Sequence, residues 1–356
     1  MKACVVFCTI RKTDSFRQYA RNFLEHNHSP DVIIVDEQGD TRPLIKKELE
    51  EFSVEFYGQR ERQEWFKKNN VDSQTVPAKT TDVIGFSLLV AYPRKYDMLL
   101  FIDDDTYPLN NDFIGEHWKS LTSRKMPIVS SKNRWVNPHP FAYPRGYPYS
   151  VRNWMSLSNF YEKKGCQKGA VLNMGLWNKV PDLNAIDYLY FGSLKGLYED
   201  PYHEQIPNDS YILEHDSFMP LSRMNVSFKP KVIPAFYQLT GDEYGVGRYG
   251  DVFSGLFLMK IAAHLGDNIS YGVPTCLHDK EPRDVFKDIK SEMESVKLNE
   301  KMWCVLDKIE LVGDSYGSCY ASLADGLLKY KGEFHNPNFI VYLAERMKAW
   351  VKAIEP

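Results

Sequence analysis

Three consecutive carboxylates, Asp103-Asp104-Asp105, close the apolar run Met98-Leu99-Leu100-Phe101-Ile102. Such a run reads as a buried strand. Open α/β sheets bind ligands at the carboxyl ends of their strands, so this strand would deliver hard oxygen ligands to that edge. Mg²⁺ and Mn²⁺ take such oxygens and usually bridge them to a substrate's phosphates. Carboxylates packed this closely repel one another without a cation. The chemistry indicated is a divalent metal holding a nucleotide diphosphate. Asp runs also occur in turns and at helix N-caps, and that reading stays open here.

A second group lies between Asn133 and Trp154. Trp135, Phe141, Tyr143, Tyr147, Tyr149 and Trp154 alternate with Pro138, Pro140, Pro144 and Pro148, and with Arg134, Arg145 and Arg152. The prolines forbid a regular helix or a central strand. Long irregular segments are functional or disordered, and this one is too aromatic for disorder. Aromatic faces suit sugar rings and uracil, and arginine forks suit phosphate. The same aromatics would equally fill a core around a rigid loop. A third group is the glycine-rich run Gly245–Gly250 followed by Asp251. Glycines let backbone approach a ligand, and Asp251 is either a helix cap or a substrate contact.

The elements that must position these groups alternate. Ala3–Ile10, Val32–Val35, Met98–Ile102 and Ile128–Ser131 read as strands. Asp14–His26, Pro43–Glu51, Glu61–Asn69, Thr81–Ala91 and Asp251–Leu265 have helical spacing. Alternating β and α elements predict an α/β fold with a mostly parallel central sheet flanked by helices. No GxGxxG follows the first strand, which argues against a dinucleotide fold. Asn338–Ile354 is amphipathic, with Leu343, Met347, Trp350, Val351 and Ile354 on one stripe that docks on the core or on a partner subunit. The expected organisation is a catalytic domain over residues 1–285 and a C-terminal helical extension over 286–356.

The 356 residues carry 44 basic and 47 acidic side chains, a net charge of −3, which argues against a broad nucleic-acid footprint. No apolar run reaches transmembrane length. The N-terminal run ends at Arg11 and Lys12 and reads as a strand, not as a signal peptide. Cysteines 4, 8, 166, 276, 304 and 319 form no CxxC pair, and Cys4 and Cys8 lie about 13 Å apart at strand rise. This predicts a reducing, cytoplasmic setting in which the sequons at Asn208, Asn225 and Asn268 are unused.

Several blocks together resemble the reversibly glycosylated polypeptides, the family that includes the UDP-arabinopyranose mutases (glycosyltransferase family 75). Thr9-Ile10-Arg11 resembles the end of that family's first strand, and Asp103-Asp104-Asp105 its metal motif. Arg145-Gly146-Tyr147-Pro148-Tyr149-Ser150-Val151-Arg152 is similar to its RGYPFSLR block. Gly175-Leu176-Trp177 with Pro181-Asp182 resembles GLW…PD, and Met224-Asn225, Gly247-Arg248-Tyr249 and Asp251 resemble its MN and GRYDD blocks. His264-Leu265-Gly266 and His278 match later positions. Gly250 stands where the family has a first Asp, and Met174 where plant members carry His.

The resemblance implies a GT-A-like nucleotide-sugar fold and a mutase interconverting the pyranose and furanose forms of UDP-arabinose or a related sugar. It implies Mn²⁺ or Mg²⁺ on Asp103, Asp105 and His278. Arg145 would accept the sugar reversibly with support from Arg152, or both arginines would clamp the diphosphate. Asp251 would face the developing oxocarbenium ion. The expected substrate contacts are Thr9, Arg11, Asp36, Lys79, Asp103, Asp104, Tyr147, Trp177, Asn225 and Arg248. A transferase with a separate acceptor, and a non-catalytic subunit of an oligomer, are the competing expectations. A haloacid-dehalogenase-type phosphatase is disfavoured, because Tyr107 stands where its motif needs Thr or Val.

Overall fold

Alternate residues of the first strand, Ala3–Thr9 (β1), enter different cores. Cys4 and Val6 join one hydrophobic cluster, and Ala3, Val5 and Phe7 join another. Successive side chains on a strand point to opposite faces, so both faces of the sheet are covered. A computed structural model describes the chain except residues 10–12, 38–41, 81–82, 138, 140, 154–159, 167, 199–208 and 240. Arg11, Trp154 and the sequon at Asn208 therefore lie outside the described residues.

After β1 the chain runs through Ser15–Glu25 (α1), Asp31–Asp36 (β2), Arg42–Glu48 (α2), Val54–Tyr57 (β3), Gln59–Asn69 (α3) and Gly85–Ala91 (α4). Met98–Asp103 (β4), Thr106–Pro108 (β5), Phe113–Thr122 (α5), Met126–Ser131 (β6), Phe160–Cys166 (β7) and Ala170–Lys179 (β8) follow. Ala185–Tyr190 (α6), Ser210–Leu213 (β9), Asn225–Phe228 (β10), Gly250–His264 (α7) and Asn268–His278 (β11) complete the sheet region. Val285–Lys308 (α8), Tyr316–Lys329 (α9) and Pro337–Ile354 (α10) end the chain.

The strand order is β3-β2-β1-β4-β10-β8-β11-β9-β6-β7, with β5 paired to β11. The β3-β2-β1-β4 block is parallel throughout, as the alternating pattern predicts. Beyond it β10 runs antiparallel between β4 and β8, while β8 and β11 are parallel. The strands β3, β5 and β7–β11 have no counterpart in the sequence reading, because their short or bulged runs lack a clear period of two. The consequence for function is directional. The carboxyl ends of β1, β2, β4, β8 and β11 and the amino end of the antiparallel β10 all meet at one edge.

Helices cover both faces. Phe16, Tyr19 and Phe23 of α1 and Phe113, Ile114 and Leu121 of α5 pack on one side. Residues of α4, α7, α9 and α10 pack on the other. α7 is buried nearly all round, which explains its continuous apolar sequence. α10 docks on the core: Leu343, Met347, Trp350 and Ile354 are buried, whereas Val351 is only half-buried. Trp350 stacks on Tyr237 at 5.0 Å, and its Nε1 donates to the Ile233 carbonyl at 3.2 Å. Among the described residues no helix is long and apolar enough to cross a membrane. Cys4, Cys8, Cys276, Cys304 and Cys319 are free thiols.

Trp350→Ala would leave a large cavity under α10, and it should lower unfolding stability by about 3–5 kcal/mol in a urea titration. A change below about 1 kcal/mol would contradict the docking of α10 on the core.

Candidate functional site

The carboxyl edge holds a cavity of about 180 Å³ whose walls include Asp103, Asp105, Arg145, Asp182, Arg223, Arg248, Asp251, His278, Lys280 and Arg283. The three consecutive aspartates divide their work. Asp104 turns back toward β1 and accepts from Thr9 Oγ1 at 2.9 Å. Asp103 and Asp105 face the cavity. Burial, opposed by Arg223 and reinforced by Asp105, Asp104 and Asp251, pushes the Asp103 carboxyl up to about 7.

β5 brings His278 to the same place. It pairs antiparallel with the end of β11, so Thr106 lies opposite His278 and the Asp279 amide donates to the Asp105 carbonyl at 2.9 Å. His278 Nδ1 lies 2.7 Å from the Val180 carbonyl. A nitrogen facing a carbonyl must carry the proton, so in the neutral ring Nε2 presents a lone pair. That Nε2 lies 3.9 Å from Asp105 Oδ2. Burial holds the imidazole below its usual range, although Asp105 opposes the shift.

This donor set fits a divalent cation. Two cavity-facing carboxylates and a histidine oriented by a backbone carbonyl form the ligand chemistry and outer support that such ions use. Among the described residues no three His, Cys, Asp or Glu side chains converge tightly enough to enclose an ion alone. An ion that shares its coordination with substrate phosphates needs no such cage.

Arg145 forms the opposite wall, and its guanidinium has no idle donor. Nε donates to Asp182 Oδ1 and Oδ2 at 3.0 and 3.1 Å. Nη2 donates to Asp182 Oδ2 at 2.9 Å and to Asp251 Oδ2 at 2.8 Å. Nη1 donates to Asp251 Oδ1 at 2.9 Å and to the Arg248 carbonyl. Burial alone would pull the guanidinium down, but the two carboxylates hold it well above its ordinary value. Asp182, although buried, is held well below the usual carboxylate range by Arg145. Asp251 is not the helix cap: Tyr249 occupies that position, and the carboxylate turns to Arg145 and to the Arg223 amide at 3.3 Å.

α8 straps the site loops in place. Asn299 Nδ2 donates to the Gly146 carbonyl at 2.7 Å, and Glu300 accepts from the Tyr149 and Ser150 amides at 2.6 and 3.1 Å. Ser295 Oγ donates to the Gly247 carbonyl at 2.9 Å. Glu292 accepts from the Ala185 amide at 2.7 Å and pairs with Arg248 Nε at 2.9 Å, while Asp288 pairs with Arg248 Nη1 at 2.5 Å. Arg248 has φ +60°, a left-handed conformation that costs a non-glycine residue free energy and is maintained by these partners. Gly146 has φ +89°, and a Cβ there would lie 2.6 Å from Val252 Cγ1, so the turn after Arg145 requires glycine.

Asp103, Asp105, Arg145, Arg248, Asp251 and His278 thus meet in one cavity. Other sequence candidates sit elsewhere. Arg152 is a bidentate partner of Asp187 at 2.7 and 3.0 Å, and its guanidinium lies 3.6 Å from the Tyr149 ring centroid. Tyr147 is buried against Trp135 and Tyr143, and Asn225 belongs to a buried network with His117, Thr275 and the Leu176 carbonyl. Thr9 and Asp36 are cross-strand neighbours buried at the strand ends. Lys79 is exposed, and its backbone N–H donates to Glu37. Trp177 lies behind the cavity, beside Arg145 and Asp182.

Arg223, Lys280 and Arg283 line the cavity without having been singled out in the sequence. Burial pulls the Lys280 ammonium down to about 8, although Asp182 opposes it, and Nζ lies 3.9 Å from the Tyr188 ring centroid. A search for cations just after His278, a position already singled out by the resemblance, would have found Lys280 and Arg283.

Breaking a buried ion pair by removing one partner costs about 3–5 kcal/mol. Arg145→Met should lower stability by that amount near neutral pH in urea denaturation. Asp182, held below the usual carboxylate range, contributes stability above that range and loses it as pH falls through its folded value. The deficit of Arg145→Met should therefore shrink on acidification. A deficit that grows toward acid pH would contradict the ion pairing.

The chain resembles several curated proteins over nearly its whole length. It is 27% identical to a probable UDP-arabinopyranose mutase 1 of Pisum sativum, covering 98% of this chain and 89% of that protein. It is 26% identical to UDP-arabinopyranose mutase 3 of Arabidopsis thaliana, covering 99% and 90%. Among solved structures, glucosyl-3-phosphoglycerate synthase of Mycobacterium tuberculosis matches at 14% identity and a TM-score of 0.43, over 85% of this chain and 79% of that one. This likeness is too loose to define an activity. The model of the reversibly glycosylated polypeptides matches residues 2–356, and the chain belongs to that family.

Proposed function

We propose that the protein is a UDP-sugar mutase that interconverts the pyranose and furanose forms of UDP-arabinose or a closely related sugar, in a cytoplasmic setting and on a GT-A-like fold. The observation that carries the reading is the meeting of the Asp103–Asp105 edge, Arg145 and Asp251 in one cavity lined by further cations. The curated relatives' names support the same activity.

Asp103, Asp105 and His278 would hold Mn²⁺ or Mg²⁺, which when bound neutralises charge on the diphosphate leaving group. Arg223, Lys280 and Arg283 supply positive charge along the same wall. Asp251 is the carboxylate placed to steady positive charge at the anomeric carbon, and Arg145 fixes its two oxygens. Reversible transfer of the sugar to Arg145 belongs to the same reading. In that step a C1–N bond forms, the C1–O bond to UDP breaks, and UDP leaves with the electron pair. The guanidinium proton passes to Asp251, which is in contact with both Nη atoms. The ring C1–O bond then opens as the ring oxygen takes up that proton, a different hydroxyl adds to C1 and gives up its own, and the C1–N bond breaks as a UDP phosphate oxygen re-forms the C1–O bond and the Arg145 nitrogen leaves with the electron pair.

The test is chromatography of nucleotide sugars after incubation with UDP-arabinopyranose, with and without Mn²⁺. A metal-dependent furanose isomer is expected, and Asp105→Ala should lower its rate by at least about tenfold to a hundredfold, the loss that even outer-shell partners of a metal produce. Slow release of UDP with no isomer would overturn the mutase reading in favour of a transferase lacking its acceptor.

A further inference from the structure

Behind Arg145 and Asp182 lies a second, smaller space of about 10 Å³, which shares Arg145, Asp182 and Ser222 with the main cavity. Two polar atoms line it without a partner. His139 Nδ1 and Trp177 Nε1 are both buried and make no hydrogen bond, and both side chains are 4% exposed. Their rings stand edge to face with centroids 6.5 Å apart. Met174 contributes apolar wall beside them.

Buried polar groups in folded proteins are almost always satisfied, so each orphan asks for a partner. Trp177 Nε1 only donates. Burial, opposed by Asp182, pulls the His139 imidazole down to about 4, so the ring is neutral near physiological pH, and in the tautomer protonated at Nε2 its Nδ1 accepts. The group that accepts from one and donates to the other is a hydroxyl. A space of this size holds about one oxygen atom, since one water needs roughly 10–15 Å³ on this measure. A whole sugar ring does not fit.

We propose that His139 Nδ1 and Trp177 Nε1 together receive one hydroxyl of the sugar ring, and so select sugars by the position of that hydroxyl. The proposal rests on the UDP-sugar reading. It explains why Trp177 stands beside Arg145 and Asp182: the hydroxyl receptor and the wall that holds Asp251 share the same two side chains. A sugar anchored there keeps its anomeric carbon at a fixed place relative to Asp251.

The experiment measures dissociation constants of UDP, UDP-arabinopyranose and each of its monodeoxy analogues for the full chain, Trp177→Phe and His139→Leu. In the wild type, one deoxy analogue should bind about fivefold to a hundredfold more weakly than the parent, the effect of losing two neutral hydrogen bonds. Trp177→Phe and His139→Leu should each weaken the parent sugar nucleotide by about twofold to tenfold, the effect of one such bond, and reduce the discrimination against that one analogue. UDP alone should bind both variants as it binds the wild type. If Trp177→Phe does not fold, His139→Leu decides. Equal weakening of UDP and UDP-arabinopyranose would make the pair structural and overturn the proposal. Wild-type affinity unchanged for every deoxy analogue would assign the space to an ordered water and also overturn it. Failure of UDP itself to bind would remove the nucleotide-sugar reading, whereas UDP binding without hydroxyl discrimination removes this receptor alone.

Discussion

The guanidinium of Arg145 stands between two buried carboxylates, and much of the site depends on its staying there. Asp182 arrives from the loop after β8, Asp251 from the first turn of α7, and the Arg248 carbonyl from the loop before α7. None of these segments pairs with another in the sheet. The shared cation ties them together, because moving any acceptor away would leave a buried charge unpaired. The bond is directional as well as electrostatic. A planar fork with every donor engaged fixes the orientation of both carboxylates, which a lysine at the same place would not do.

Further charged side chains line the cavity at this edge. Arg145 answers Asp182 and Asp251, and Asp288 and Glu292 answer Arg248. Asp103 and Asp105 line the cavity with His278, whose Nε2 lies 3.9 Å from Asp105 Oδ2. Arg223, Lys280 and Arg283 line the same cavity. Carboxylates and cationic side chains thus face one cavity. In the proposed reading a metal diphosphate would meet both sets of side chains. α8 takes part as a scaffold: a single face of that helix reaches the backbone of residues 146–150, 185 and 247. The residues C-terminal to 285 are thus in direct contact with the loops that carry Arg145 and Arg248.

The parallel half of the fold was legible because β1, β2 and β4 are apolar on both faces and each is followed by a polar, glycine- or aspartate-bearing end. Asp103, Asp105, Arg145, Arg248, Asp251 and His278 were legible as individuals from residue type and from the resemblance. Their meeting was not, since it depends on the antiparallel β10 and on the bulged pairing of β11 with β8, neither of which has a sequence period. Arg152 and Tyr147 share a motif with Arg145 but point into the loop's own packing, where Asp187, Tyr143 and Trp135 hold them. Spacing alone does not separate the side of an irregular loop that faces a ligand from the side that faces the core. Asp182 was visible only as part of a resemblance block, because an aspartate in a loop carries no signal until its arginine partner is located. His139 lies between two prolines in a segment read mainly for its arginines and aromatics.

The central claim is that the Asp103–Asp105 edge and a nucleotide diphosphate bind one metal ion between them. Electron paramagnetic resonance of Mn²⁺ titrated into the protein, with and without UDP, tests it directly. The account predicts that UDP tightens Mn²⁺ binding by at least about tenfold, a coupling of about 1.4 kcal/mol, and that Asp105→Asn removes this coupling. Mn²⁺ binding that ignores UDP, or that survives Asp105→Asn unchanged, would contradict it.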